Sequence, residues 1–188
     1  MKSIWAVLFS LLVFSCSSKV KEQKFTQKDA AFYPIEAFIK DELRKVDSLP
    51  IAVFAVRSLN GKNDTSIVEK SVLHAKAVDL ITPDISKEPL KEKYTESVFM
   101  DATINSVTMS YATEDENAEI KKIDVFVDPE TEKVKYIYVE KLTSSGDTTA
   151  LRKMIWTAGK YLQISTSLSI KNGGDSIVQE KYSWDFMN

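Results

Sequence analysis

IKKIDVFVDPETEKVKYIYVEKLTSSGDTTALRKMIWTAGKYLQISTSLSI, residues 120–170, is where the chain shows its architecture. Apolar and polar side chains alternate with a period of two through Ile120 to Val127, Val134 to Leu142, Ala150 to Thr157 and Tyr161 to Ile170, the pattern of strands with one buried face. The connections are short. Asp128-Pro129-Glu130-Thr131-Glu132 and Ser144-Ser145-Gly146-Asp147 are turn-forming runs that can join only antiparallel neighbours. Working outward, Val98 to Ile104 and Ser106 to Ala112 extend the pattern upstream, and Ser176 to Trp184 follows Asn172-Gly173-Gly174-Asp175 downstream. Seven strands in a meander are predicted. Ile123, Val125 and Val127 share one face, as do Leu162, Ile164, Leu168 and Ile170, while Phe126, Ile137 and Val139 interrupt the other. A twisted, partly closed sheet, packed on helices or covered on both sides, is the expectation.

The helices lie upstream. After Pro34, a residue suited to the first helical turn, Ile35, Phe38, Ile39, Leu43 and Val46 recur at helical spacing, and the pattern ends by Asp47-Ser48-Leu49-Pro50. Ile51 to Arg57 then reads as a strand leading into Asn60-Gly61, the strongest hairpin signal in the chain. Its return, Thr65 to Val68, fits either a strand or a helix start capped by Asp64. A second helix is predicted over Ser71 to Leu80, with Val72, Ala75, Val78 and Ile81 along one side and Pro83 closing it. The fold class is therefore α+β: two N-terminal helices and a hairpin packed with a large, twisted antiparallel β-meander.

The first fifteen residues have the layout of an export signal: Lys2, an apolar run from Ile4 to Phe14, then Ser15. The run is too short for a spanning helix, which needs about twenty apolar residues. Leu12-Val13-Phe14-Ser15-Cys16 resembles the lipobox of bacterial lipoproteins, although Phe14 is bulkier than the usual residue there. The resemblance implies cleavage before Cys16 and acylation of its thiol; the alternative is an ordinary signal whose cysteine falls near the junction. Cys16 is the only cysteine, so no intramolecular disulfide can form in an oxidising compartment, and acylation explains the lone thiol better. The division expected is a signal over 1–15, a polar tether over 16–30 and one α+β domain over 31–188.

The run Asp84-Ile85-Ser86-Lys87-Glu88-Pro89, followed by Tyr94, resembles a segment of small uncharacterised lipoproteins of Bacteroidota, which share the order lipobox, helix, hairpin, helix, β-meander. This chain departs by inserting Glu88 between lysine and proline. The resemblance implies a lipid-anchored protein of the cell envelope at the outer membrane and carries no chemistry. Ser17-Ser18-Lys19 lacks the acidic cluster associated with surface export in such bacteria, which places the domain on the periplasmic side.

With 25 basic and 27 acidic residues interspersed, for a formal net charge of −2, the chain lacks the basic stripe that nucleic-acid binding requires. His74 is the only histidine, which excludes a multi-histidine metal site or a histidine triad within one chain. No phosphate-cradling glycine loop or nucleophile elbow is present, and no cofactor, metal or catalytic residue is assigned. Glu114-Asp115-Glu116 and the trio Asp128, Glu130 and Glu132 lack the spacing of a calcium loop and read as solvated turns. Tyr136, Tyr138, Trp156, Tyr161, Tyr182 and Trp184 are dense in the C-terminal sheet. They form a candidate face for lipid, glycan or an envelope protein, against the alternative of ordinary cross-strand packing. The leading expectation is a non-enzymatic binding or interaction module tethered to the membrane through its N-terminal lipid. The alternative is a carboxylate-dependent hydrolase acting on envelope glycan or lipid.

Overall fold

The computed structural model describes residues 32–184; the expected export signal, Cys16 and the expected tether lie outside them. The order is α1 (Ile35–Ser48), β1 (Val53–Leu59), β2 (Lys62–Val68), α2 (Lys70–Ile81), a short 3₁₀ turn (Lys91–Lys93), then β3 (Thr95–Asp101), β4 (Ser106–Ala112), β5 (Ile120–Val127), β6 (Val134–Ser145), β7 (Thr148–Thr157), β8 (Tyr161–Ile170) and β9 (Ser176–Ser183). The nine strands form one antiparallel sheet in the order β2-β1-β9-β8-β7-β6-β5-β4-β3. The α+β class and the meander are as expected. The sheet, however, is open and not partly closed, with β2 and β3 as its edges. Residues 62–68 form a strand, because Asn60 and Gly61 both take positive φ, 49° and 82°, the two-residue turn whose twist suits a hairpin. That hairpin joins the meander by pairing β1 with β9.

Strand β3 ends three residues earlier than the alternation suggests. The Asp101 carboxylate accepts hydrogen bonds from the Thr103 N–H at 2.8 Å and the Thr103 hydroxyl at 2.5 Å, which turns the backbone and removes Ile104 from the ladder. Elsewhere the strands reach further than expected. β6 and β7 continue to Ser145 and Thr148, leaving only Gly146, at φ 58°, and Asp147 as the turn.

Helix α1 buries Ile39, Leu43 and Val46 as its periodicity requires. Helix α2 does not use the expected stripe: Leu73, Ala77 and Leu80 are buried, while Val72 and Val78 are 37% and 55% exposed. Apolar residues lie around most of this helix, so periodicity alone leaves its rotation open. The face with two leucines flanking a small alanine allows the closer approach. Neither helix has glycine at its C-terminus; lysines from elsewhere take the last carbonyls instead. Lys70 donates to the carbonyls of Val46 and Leu49, both at 2.7 Å. Lys141, 1% exposed, reaches from β6 to the carbonyls of Asp79 at 2.9 Å and Thr82 at 2.6 Å. It also pairs with the carboxylates of Asp79 at 3.1 Å and Glu119 at 2.8 Å, and Arg152 holds the other Asp79 oxygen.

Cross-strand pairing corrects one assignment of faces. Val139 sits opposite Ile123 and Ile137 opposite Val125, so all four point to the same side and are buried; only Phe126 belongs to the other face. This core face continues through Met154, Trp156, Leu162, Ile164 and Tyr182 and packs against both helices. Trp156 and Trp184 lie at its centre, with ring centroids 4.8 Å apart. The buried Glu42 of α1 accepts the Gly159 N–H at 2.6 Å, fastening the helix to the β7–β8 turn. Leu168 and Ile170, expected on this face, lie towards its far end, where Ile170 is 44% exposed.

Candidate binding face

Directly paired residues of neighbouring strands project to the same side of a sheet, so the register maps the face opposite the helices row by row. One row crosses all nine strands. It carries Ile67, Phe54, Tyr161, Tyr136, Phe126 and Phe99, with Ser183, Thr157 and Thr108 between them. At about 4.8 Å per strand the row is on the order of 40 Å long. The next row is mixed: Thr65, Val56, Lys181, Gln163, Ile155, Tyr138, Asp124, Ser110 and Ser97. The third is almost wholly polar, running from Asn63 through Ser58, Gln179, Ser165, Lys153, Glu140 and Lys122. The face thus grades from aromatic to charged over three rows.

The rings of Phe126 and Tyr136 stack, 4.0 Å apart and 21° from parallel. The Lys181 ammonium lies 4.2 Å from the centre of the Tyr161 ring, a cation–π contact. In the middle row Asp124 is buried although it lies on the solvent side. One of its oxygens pairs with Lys122 at 2.9 Å, and the other has no partner among the described residues. The Tyr138 hydroxyl donates to Glu140 at 2.8 Å. Partial burial, and then the Asp124 charge, raise the Tyr136 hydroxyl above its usual pKa; burial, the bond to Glu140 and the nearby carboxylates raise that of Tyr138 further. Both phenols therefore stay protonated donors across the physiological range.

Towards β1, β2, β8 and β9 the same face holds a shallow concavity of about 260 Å³ lined by Val56, Ser58, Asn63, Gln163, Gln179 and Lys181. Glu180 also borders it, but its carboxylate is bonded on the helix side to Lys76 at 3.0 Å and the Tyr182 hydroxyl at 2.9 Å. The concavity is therefore lined by carboxamides, a hydroxyl and one cation.

The six aromatics expected to share a face are divided. Tyr136, Tyr138 and Tyr161 are on the open side, whereas Trp156, Tyr182 and Trp184 are 0%, 5% and 2% exposed in the core. Phe54, Phe99 and Phe126 take their places, and the sequence signal that could have found them was strand parity combined with pairing. His74 bridges the helices, its Nε2 3.0 Å from Asp47. Asp115 holds Lys93 at 2.9 Å and the Asn117 N–H at 2.9 Å, and Asp128 accepts the N–H groups of Glu130 and Thr131 at 3.0 Å, so each acid shapes its own turn. Among the described residues no group of three or more His, Cys, Asp or Glu is placed to hold a metal ion, and no helix is long and apolar enough to cross a membrane. No protein-family model, curated protein or solved structure matches the chain.

Proposed function

We propose that this protein is a lipid-anchored binding module of the cell envelope, tethered through Cys16 at the periplasmic side of the outer membrane, and that the helix-free sheet face is its ligand surface. The observation that carries the reading is the graded face itself. Six apolar or aromatic side chains are aligned in one row across nine strands, and the face grades from it through a mixed row to a polar one, whereas the solvated face of an antiparallel sheet is ordinarily polar throughout. The concavity beside Phe54 and Tyr161 favours a glycan over a lipid. Carboxamides offer a donor and an acceptor together, which matches vicinal hydroxyls and has no counterpart in an acyl chain.

Two measurements test the parts separately. The intact mass of membrane-extracted protein should fit cleavage before Cys16 plus acyl chains, and a Cys16→Ser variant should lose that mass. Binding of neutral envelope glycan fragments, followed by titration calorimetry, should weaken at least tenfold in Gln163→Ala/Gln179→Ala, whose side chains line the concavity. An unmodified mature chain would remove the anchor. Equal binding, or none, in parent and variant would remove the face.

A further inference from the structure

Among the described residues, Asp124 is the only charged side chain buried on the open face of the sheet. It sits in the middle of β5, where alternation places Lys122 and Phe126 beside it and register places Ser110 and Tyr138 directly across the neighbouring strands. The residue is 7% exposed. One carboxylate oxygen holds the Lys122 ammonium at 2.9 Å, and the other, Oδ1, receives no donor from any described residue. A buried acceptor left unsatisfied is costly, the more so when it is charged, and on the solvent side of a sheet it can be met by a donor from outside. No helix covers this face, so the side chains around Asp124 are what bury it. Lys122 is the part of that cover able to give way, since its side chain is 45% exposed on a flexible four-carbon stem.

The surroundings select the donor. Phe126, Tyr136 and Tyr138 stand around Asp124 on the same face, and the faces of aromatic rings are negative. The charged and phenolic donors closest to it are committed, Lys122 to Asp124 itself and the Tyr138 hydroxyl to Glu140. After burial, the Asp124 charge is what raises the Tyr136 hydroxyl, and it adds to burial and Glu140 at Tyr138; a negative potential therefore persists at the rings in spite of Lys122. A carboxylate oxygen accepts and does not donate, so it is best met by a group with donors only, and an ammonium has three donors and no acceptor. A sugar hydroxyl brings lone pairs as well, for which only the uncharged hydroxyls of Ser110 and Tyr136 are at hand. An ammonium also gains from the ring faces, as Lys181 does over Tyr161 at 4.2 Å on the same side of the sheet.

We infer that Asp124, walled by Phe126, Tyr136 and Tyr138, is a subsite for a protonated amine of the ligand, and that Lys122 is its built-in competitor. Resting on the reading of this face as a glycan surface, the inference narrows the ligand to an amino sugar with a free amine. Asp124 and Gln163 belong to one row, with Tyr138 and Ile155 between them, three strand spacings or about 14 Å apart. An oligosaccharide laid across the strands meets the carboxamides with its hydroxyls at one end and Asp124 with its amine at the other.

Titration calorimetry of the full chain carrying Cys16→Ser, with two tetrasaccharides that differ only at nitrogen, provides the test. The probes are the tetramers of glucosamine and of N-acetylglucosamine, used just below neutral pH so that free amines carry protons. The glucosamine form should bind at least tenfold more tightly. Asp124→Asn, which keeps the shape and removes the charge, should bind the two alike. Lys122→Met should widen the preference several-fold, because the competing ammonium is gone and only a half-exposed side chain has changed; it decides the matter should Asp124→Asn fail to fold. Gln163→Ala/Gln179→Ala should weaken both tetramers and keep the preference. No preference for the glucosamine form in the parent, a preference that survives in Asp124→Asn, or one that fails to widen in Lys122→Met would overturn the inference and leave the glycan surface standing. Binding of neither tetramer would remove the glycan surface and the inference with it.

Discussion

Replacing Lys141 by methionine keeps the length of the buried stem and removes only its charge, so the variant isolates what the ammonium does. Four contacts within 3.1 Å disappear: the Asp79 and Thr82 carbonyls that end α2, and the Asp79 and Glu119 carboxylates. Removing one partner from a buried ion pair costs about 3–5 kcal/mol. The lower end applies here for two reasons. The Asp79 and Glu119 side chains are 32% and 40% exposed, so water can reach them, and Arg152 still holds Asp79. The expected loss is about 3 kcal/mol, which for a domain of this size lowers Tm by roughly 6–12 °C. Urea denaturation followed by circular dichroism measures it, and the slope with denaturant should be unchanged. Glu119→Gln, whose carboxylate is the more exposed, should cost under about 1 kcal/mol. A loss below about 1 kcal/mol in Lys141→Met would show that the lysine behaves as a surface pair and that hydration alone satisfies the end of α2.

Three other outcomes follow from the packing. Glu42→Ala leaves the Gly159 N–H without its acceptor at 2.6 Å and should cost about 1–3 kcal/mol, whereas Glu42→Gln, which retains an acceptor, should recover most of it in the same melt. Gly146→Ala places a side chain at φ 58° with no steric neighbour within 4 Å; the backbone penalty alone, about 1–2 kcal/mol, should appear as a lower denaturation midpoint. Burial, with the charges of Asp115 and Glu119, pushes the Tyr94 hydroxyl up to about 12 from 10.0. The folded state therefore holds this proton more tightly: its stabilisation is complete below pH 10 and disappears as pH rises towards 12. Tyrosinate absorbance rising together with loss of structure in that window, and a shallower stability slope in Tyr94→Phe, is the expected result; ionisation of Tyr94 at pH 10 in the folded protein would contradict it.

The strands from Ile120 to Ile170 were legible because each buries one face, and alternation is a local property. What alternation does not carry is parity between strands. Ile137 and Val139 read as an interruption of the outer face until pairing with Val125 and Ile123 put them in the core, and the same ambiguity split the six aromatics between two sides. Helix α2 illustrates a second limit: with apolar residues around most of its surface, the choice of Leu73, Ala77 and Leu80 is made by the sheet beneath it. The capping lysines illustrate a third. Lys141 reaches α2 across 59 residues, from Thr82, and nothing near Thr82 announces it. Long-range pairing also hid the aromatic row, since its members come from nine different strands.

The placement of the first hairpin beside the last strand bears on how the chain acquires its structure. Phe54 pairs with Ser183 and Leu59 with Val178, so β1, made early, has no neighbour except β2 until the final strand exists, and an isolated two-stranded hairpin is marginal in water. The meander from β3 to β8 can zip by local turns, but the β1–β9 seam closes a loop of most of the chain, a step that is slow because its entropy is lost before contacts repay it. The protein therefore remains incomplete until residues 176–183 arrive. On the proposed export route, a seam that seals last would keep the chain threadable until it had crossed the membrane.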